Sequence, residues 1–274
     1  MTREVRVAVF RPDDERMVDA VELLESLGAI PVPDPMLAVE PTGNVPGDGG
    51  SDTDDETNPD VVVLTSKTGV ELLDDAGWGP GAATLACIGP RTAAAAHDAG
   101  WTVDLVPAEY SSSGLVAALE GGGGSETRSA AAADVLADGV AGLRVEVARS
   151  DHGSDVLLDG LREAGADVHE TVLYRLVRPA GSGQSTVMAA GDELDAACFT
   201  SSLTVENFLD AAAERGVRDE AIAGLNRAVV GTIGEPTRET AESYGIRVDV
   251  VPEDATFEQL ATAVVEAAAP TYRD

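Results

Sequence analysis

The chain has 274 residues, enough for two hydrophobic cores of ordinary domain size. Its 49 acidic and 18 basic residues leave a formal charge of −31, which repels nucleic acid and anionic membranes, and no stretch approaches the ~18 uninterrupted apolar residues of a membrane span. Two cysteines argue against a disulfide framework, and MTREVRVAVFRP at the start lacks the basic leader and apolar core of a secretory signal, so a cytoplasmic protein is expected.

The elements alternate along the chain. A β-rich run at 5–10 precedes apolar residues at helical spacing, Met17, Val18, Val21 and Leu24, in a helix expected over 13–27 that Gly28 stops. Strands at 61–64, 85–88 and 103–106 are followed by helices from about 68, over 91–99 and from about 113. The second half carries strands at 144–148, 168–173 and 196–199, with helices at 154–164 and 204–213. It ends with a strand at 228–232, a helix at 237–244, a strand at 248–251 and a helix at 257–268. Such alternation builds parallel sheets with crossover helices, an α/β fold. Cys87 and Cys198 each fall in an apolar run that reads as a buried strand, where a thiol behaves as a small hydrophobe.

The two halves answer each other. VRVAVFRPD near the start matches LRVEVARSD from Leu143, an offset of 138 residues, and Gly28 matches Gly165. VVLTSKTGVELL matches ACFTSSLTVENFL, CIGPRTAAAAHDAGWTVDLVP matches TIGEPTRETAESYGIRVDVVP, and YSSSGLVAAL matches DATFEQLATAV. The chain is an internal pseudo-repeat. Residues 42–58, rich in Gly and Asp, and 121–138, with a four-glycine run, lack counterparts and are expected to be flexible acidic or Gly-rich insertions. The glycine run is no P-loop, because no Lys-Ser/Thr follows it.

In open α/β sheets ligands collect at the carboxyl ends of the strands, where helix starts offer free N–H groups. Thr65 and Ser66 close one strand, and Thr200, Ser201 and Ser202 close its repeat partner. Gly89 to Thr92 and Gly234 to Thr237 form a second matched pair of turns, the glycine permitting close backbone approach. Each hydroxyl taken singly reads as a helix cap; jointly, two lobes with hydroxyls and helix starts at these turns describe a cleft for a large polycarboxylate. Arg11 and Arg149, the latter followed by Ser150, end equivalent strands and add positive charge, or else neutralise caps at the surface. His97, His152 and His169, read on two helices and a strand edge, show no ligand spacing, so no metal site is expected. The absence of a G-x-S-x-G elbow and of a Cys-His pairing leaves nucleophilic catalysis unsupported.

Acidic residues are spread through every segment, unlike an interaction tail, and Lys67 is the single lysine. Self-repulsion of this size calls for screening, and at 1 M salt the Debye length falls to about 3 Å, so the acidity reads as adaptation to a saline cytoplasm.

VVLTSKTGVELL, IGPRTA, VDLVP followed by YSSSGL, ARSDHGSDVLLDGLREAGADVHETVLYR, FTSSLTVENF and VVGTIGEPT together resemble the uroporphyrinogen-III synthase family, over nearly the whole chain outside the insertions. With the acidity, this points to a halophilic archaeon. The resemblance implies two flavodoxin-like parallel-sheet lobes joined by a two-stranded linker. The discontinuous first lobe is expected over 1–37 and 177–274, the second over 39–176, with Pro33, Pro35 and Pro41 stiffening the first crossing. It implies a cofactor-free, monomeric lyase that takes hydroxymethylbilane, expels its terminal hydroxyl as water and closes the macrocycle with ring D inverted through a spirocyclic intermediate, with transient contact to hydroxymethylbilane synthase open. Tyr174 corresponds to the family's tyrosine at the returning linker, a proton donor or hydrogen-bond partner for the departing hydroxyl, or a packed aromatic. Thr92 and Thr237 correspond to its cleft threonines and, with Ser66, Thr200, Ser201 and Ser202, would bind acetate and propionate groups. The competing readings are a non-catalytic bilobal small-anion binding protein and, more weakly, a nucleotide-dependent enzyme, which FRPDD after the first strand disfavours by lacking G-x-G-x-x-G.

Overall fold

The computed structural model describes residues 4–47 and 58–269, so most of the expected insertion at 42–58 lies outside the described residues. In chain order the elements are β1 (Arg6–Phe10), α1 (Glu15–Ser26), β2 (Ile30–Pro33), β3 (Ala38–Pro41), β4 (Val61–Leu64), α2 (Lys67–Asp75), β5 (Thr84–Cys87), α3 (Pro90–Asp98), β6 (Leu105–Pro107), α4 (Ser112–Leu119) and β7 (Ser125–Arg128). They continue as α5 (Ala130–Val135), β8 (Arg144–Ser150), α6 (Asp155–Glu163), β9 (Asp167–Val177), α7 (Gln184–Ala190), β10 (Ala196–Phe199), α8 (Ser202–Glu214), α9 (Arg218–Leu225), β11 (Val229–Thr232), α10 (Glu235–Ser243) and α11 (Phe257–Ala268). The chain divides into two compact units, 1–39 with 177–274 and 40–176.

Unit 1 has the parallel sheet β11-β10-β1-β2. Residues on β1 alternate between faces as the pleat requires: Val7 and Val9 pack with Met17, Leu24, Cys198, Leu260 and Val264, while Ala8 and Phe10 join the opposite core. That second core centres on Phe10, Phe199 and Phe208, with ring centroids 4.6 to 5.7 Å apart. β2 escapes a sequence reading because it is IPVP, yet it lies at the sheet edge where proline is tolerated. Ile30 and Asp34 donate to Val5 O and Val9 O, and the prolines occupy intervening positions that the ladder does not need. The strand expected at 248–251 shrinks to one bridge, Gly231 to Val250.

Unit 2 has seven strands, β3-β9-β8-β4-β5-β6-β7, with β9 to β6 parallel and β7 antiparallel at the edge. The stretch 121–138, expected as a flexible insertion, is instead folded: it supplies β7 and α5, and Ala132 and Leu136 enter the core. Arg128 holds it, donating to Ala118 O at 2.8 Å and Leu136 O at 3.3 Å. The small and polar composition concealed this, since two apolar side chains are joined by polar anchors: Arg128, the Ser129 hydroxyl donating to Asp104 at 2.7 Å, and the β6-β7 ladder.

Numbered by repeat, both sheets run 2-1-3-4, the flavodoxin-like order, with β6 as fifth strand in unit 2. The tandem repeats are exchanged between the units. β1 and β2 of the first repeat pair with β10 and β11 of the second, whereas β8 and β9 of the second pair with β4 and β5 of the first.

One core position carries a cost. Thr232 is fully buried at the end of β11 and its Oγ1 has no hydrogen-bond partner among the described residues. Thr232→Val keeps the shape and removes the orphaned hydroxyl, so it is expected to raise unfolding free energy by about 1 kcal/mol in a denaturant titration; a loss of that size would show that the hydroxyl is satisfied.

Candidate functional site

In unit 2 the carboxyl ends of the parallel strands surround a cavity of 220 Å³ lined by residues of five segments, among them Thr65, Ser66, Arg149, Ser150 and Tyr174. Ser66 is there because it caps α2: its backbone is extended and its Oγ accepts from Gly69 N–H at 3.0 Å. Tyr174, 6 % exposed on β9, donates its hydroxyl to the same Oγ at 3.0 Å. Ser66 thus accepts two hydrogen bonds, and its own hydroxyl proton has no acceptor among the described residues.

Arg149, at the end of β8, differs from the free cation that its position implied. Its side chain is 5 % exposed; Nε donates to Glu170 at 2.6 Å, Nη1 to Ser154 O at 2.6 Å, and Nη2 lies 3.6 Å from Asp155. A Cβ at Gly153 would stand 2.6 Å from the guanidinium, so any larger residue there would have to displace the Arg149 side chain. These bonds make Arg149 a support of the cavity wall. Ser112, Ile88, Ser154 and Leu157 also line the cavity and were missed; the only local signal for Ser154 was its place before a helix, where it caps α6.

Gly89 caps α3 with no side-chain hydrogen bond, and Thr92, two residues after Pro90, is buried. Neither lines the cavity, although Ile88 beside them does.

The corresponding residues of unit 1 stand at the carboxyl ends of its own strands. Thr200 donates to Phe10 O at 2.8 Å, Ser201 caps α8 in a capping box with Thr204, and Ser202 bonds Pro236 O and Thr240. The capping reading therefore describes the hydroxyls of Ser66 and Ser201. Gly234 repeats Gly89 as an uncapped helix start, and Thr237 is buried like Thr92. Arg11 lies with its guanidinium 4.7 Å from the centre of the Phe257 ring. Burial lowers its pKa from the ordinary value and Arg16 acts in the same direction, but a guanidinium stays charged. Of the repeat pair of arginines, Arg11 is the one without a carboxylate ion pair among the described residues.

Burial pushes the thiols of Cys87 and Cys198 up to about 12, so neither is a thiolate nucleophile near neutrality. His97 bonds Trp101 O and His169 bonds Asp167, while His152 sits in the turn after β8, not on a helix, beside Asp151. No group of three or more His, Cys, Asp or Glu suited to a metal ion occurs among the described residues. None of their helices is long and apolar enough to cross a membrane.

A family model described as uroporphyrinogen-III synthase HemD matches residues 18–262. A protein of Methanothermobacter thermautotrophicus, provisionally named as a uroporphyrinogen-III synthase, is 33 % identical over 266 residues, covering 94 % of this chain and 96 % of that protein. A crystal structure of a mutant uroporphyrinogen III synthase from the extreme thermophile Thermus thermophilus aligns with a TM-score of 0.65 at 21 % identity, over 96 % of this chain and 98 % of the other. That of the uroporphyrinogen-III synthetase from Helicobacter pylori aligns at 0.55 and 14 % identity, over 96 % and 99 %. At these identities the likeness to solved structures is one of fold.

Proposed function

We infer the chemistry from the premise that the chain belongs to the uroporphyrinogen-III synthase family, lyases of tetrapyrrole biosynthesis. The reaction read here takes hydroxymethylbilane, removes its terminal hydroxyl as water and closes the ring with inversion of ring D, without cofactor. The observation that carries the reading is the hydrogen bond from the buried Tyr174 to the α2 cap Ser66 inside a hydroxyl-lined cavity.

Loss of hydroxide from the substrate needs a proton, and the Tyr174 hydroxyl delivers it. Once its proton passes to the leaving oxygen, the Ser66 hydroxyl turns and donates to the phenolate oxygen, so the same pair serves both states. The pyrrole N–H of the substrate releases a proton as the azafulvene forms and so restores the phenol. Closure on the wrong carbon gives the uninverted isomer; holding the chain's carboxylates therefore supplies much of the selectivity. Ser150, Thr65 and the uncapped α3 start with Thr92 take acid side chains in unit 2, while Arg11, Thr200, Ser202, Gly234 and Thr237 serve that role in unit 1. Arg149 keeps the wall of the unit 2 cavity in place.

The enzyme works as a monomer in a saline cytoplasm, that of a halophilic archaeon, and meets hydroxymethylbilane synthase transiently, which shortens the path of an unstable substrate. A chain of charge −31 repels an octacarboxylate, and screening shortens that repulsion to about 3 Å at 1 M salt. Incubation with fresh hydroxymethylbilane, oxidation and separation of the uroporphyrin isomers tests the reading. Isomer III is expected to dominate, with KM falling as KCl rises from 0.1 to about 1 M. Isomer I alone from folded protein in molar KCl would replace the synthase by a non-catalytic anion-binding protein.

A further inference from the structure

We propose that Tyr110 is a substrate contact, a fixed aromatic shelf beside the start of α3 in unit 2 against which a pyrrole ring of the tetrapyrrole packs; this rests on the synthase reading. Tyr110 lies in the loop between β6 and α4, two residues before Ser112 of the cavity lining. The three large phenylalanines of the unit 1 core are fully buried, whereas Tyr110 is 52 % exposed. An aromatic left in water forgoes burial that would stabilise the fold, and here the surroundings hold it there.

Two contacts fix the ring. Its hydroxyl donates to the Glu126 carboxylate on β7, and this bond pushes the phenol above its ordinary pKa, so it remains a neutral donor. At the other end the side chain lies across Gly89, where a Cβ would stand 3.4 Å from Tyr110 Cβ and Cγ. A side chain ordered before the ligand arrives loses little rotamer freedom on binding. The shelf therefore adjoins Gly89, the uncapped start of α3, and pairs an apolar face with a site suited to a carboxylate. A pyrrole bearing acid side chains asks for both together.

The second unit shows that the fold does not require this residue. Counted from the caps Ser111 of α4 and Thr256 of α11, the place of Tyr110 is taken by Ala255 in unit 1. Glu126, which tethers the hydroxyl, belongs to the stretch that has no counterpart in the other repeat. The aromatic and its tether occur together in one unit only.

Tyr110→Phe, Tyr110→Leu and Tyr110→Ala in the full chain, in molar KCl, test the shelf by KM for hydroxymethylbilane and by Kd for uroporphyrin III, read from porphyrin fluorescence. Leu keeps an apolar side chain without a π-face. The Leu and Ala variants are expected to raise both constants about five- to tenfold with kcat little changed, and the Phe variant to stay within about twofold. Equal KM and Kd for wild type and the Leu variant, in a protein that forms isomer III, would overturn the shelf. Because uroporphyrin binding needs no turnover, weakened binding by the Leu variant of a protein that forms no isomer III would uphold Tyr110 as a tetrapyrrole contact and defeat the synthase reading alone.

Discussion

Tyr174→Phe is expected to lower kcat about a hundredfold with KM little changed, the loss associated with removing a positioned proton donor. The substitution preserves the ring, which is buried on β9, and deletes only the oxygen bonded to Ser66. Ser66 keeps its bond from Gly69, so α2 stays capped and the melting temperature should hardly move. Single-turnover rates with hydroxymethylbilane separate chemistry from binding. A kcat within threefold of wild type would reduce Tyr174 to packing and return the proton to water. Ser66→Ala provides the companion measurement: it removes the hydroxyl proposed to steady the phenolate and weakens the α2 cap, so a kcat loss with about 1 kcal/mol of destabilisation is expected.

The second large effect concerns stability. Asp34 is 4 % exposed, immediately after β2, and its carboxylate accepts from Gly183 N–H at 2.7 Å, from Ser185 N–H at 2.8 Å and from Ser185 Oγ. It therefore bolts the segment leaving unit 1 to the segment returning to it, and nearby Met36 O accepts from Asn207 Nδ2 at 2.6 Å. Asp34→Ala strands buried donors at the start of α7, each costing about 1–3 kcal/mol, so a total loss of about 3–4 kcal/mol is expected. For a unit of this size that is a fall in melting temperature on the order of 10 °C. Asp34→Asn keeps an acceptor and should lose about half as much. Hydrogen exchange at 184–190 is the sharper readout: protection that survives in Asp34→Ala would show that α7 is held by its apolar contacts instead.

The legible part of this protein was the part encoded within short windows. The helix over α1 follows from Met17, Leu24 and their neighbours at helical spacing, and β4 and β10 were placed to the residue because VVVL and AACF are uninterrupted apolar runs ending at Thr65 and Thr200. The hydroxyls at those ends were found for the same reason, because a serine or threonine after a strand and before a helix is a local signal. Lost from view were elements whose formation depends on a distant neighbour. β2 is a strand because β1 lies beside it, β7 because β6 does, and α7 because Asp34 reaches it from far along the chain.

Pattern and duplication by themselves determined the α/β class, the repeat and the turns that carry polar groups, since each is a property of periodicity or of similarity between segments. Periodicity and duplication left open which half of each repeat packs with which; the family resemblance alone supplied an expectation, and the strand pairing is a tertiary property. Val7 pairs with Ala196 and Val61 with Val145, partners in opposite repeats, and a repeat cannot specify this itself because its twin offers the same edges. Tertiary structure also decided that Arg149, at the repeat position of Arg11, is enclosed by Glu170 and Ser154 while Arg11 lies over Phe257. The charge of a side chain is written in the sequence; whether that charge is neutralised depends on which groups the fold brings within hydrogen-bonding distance.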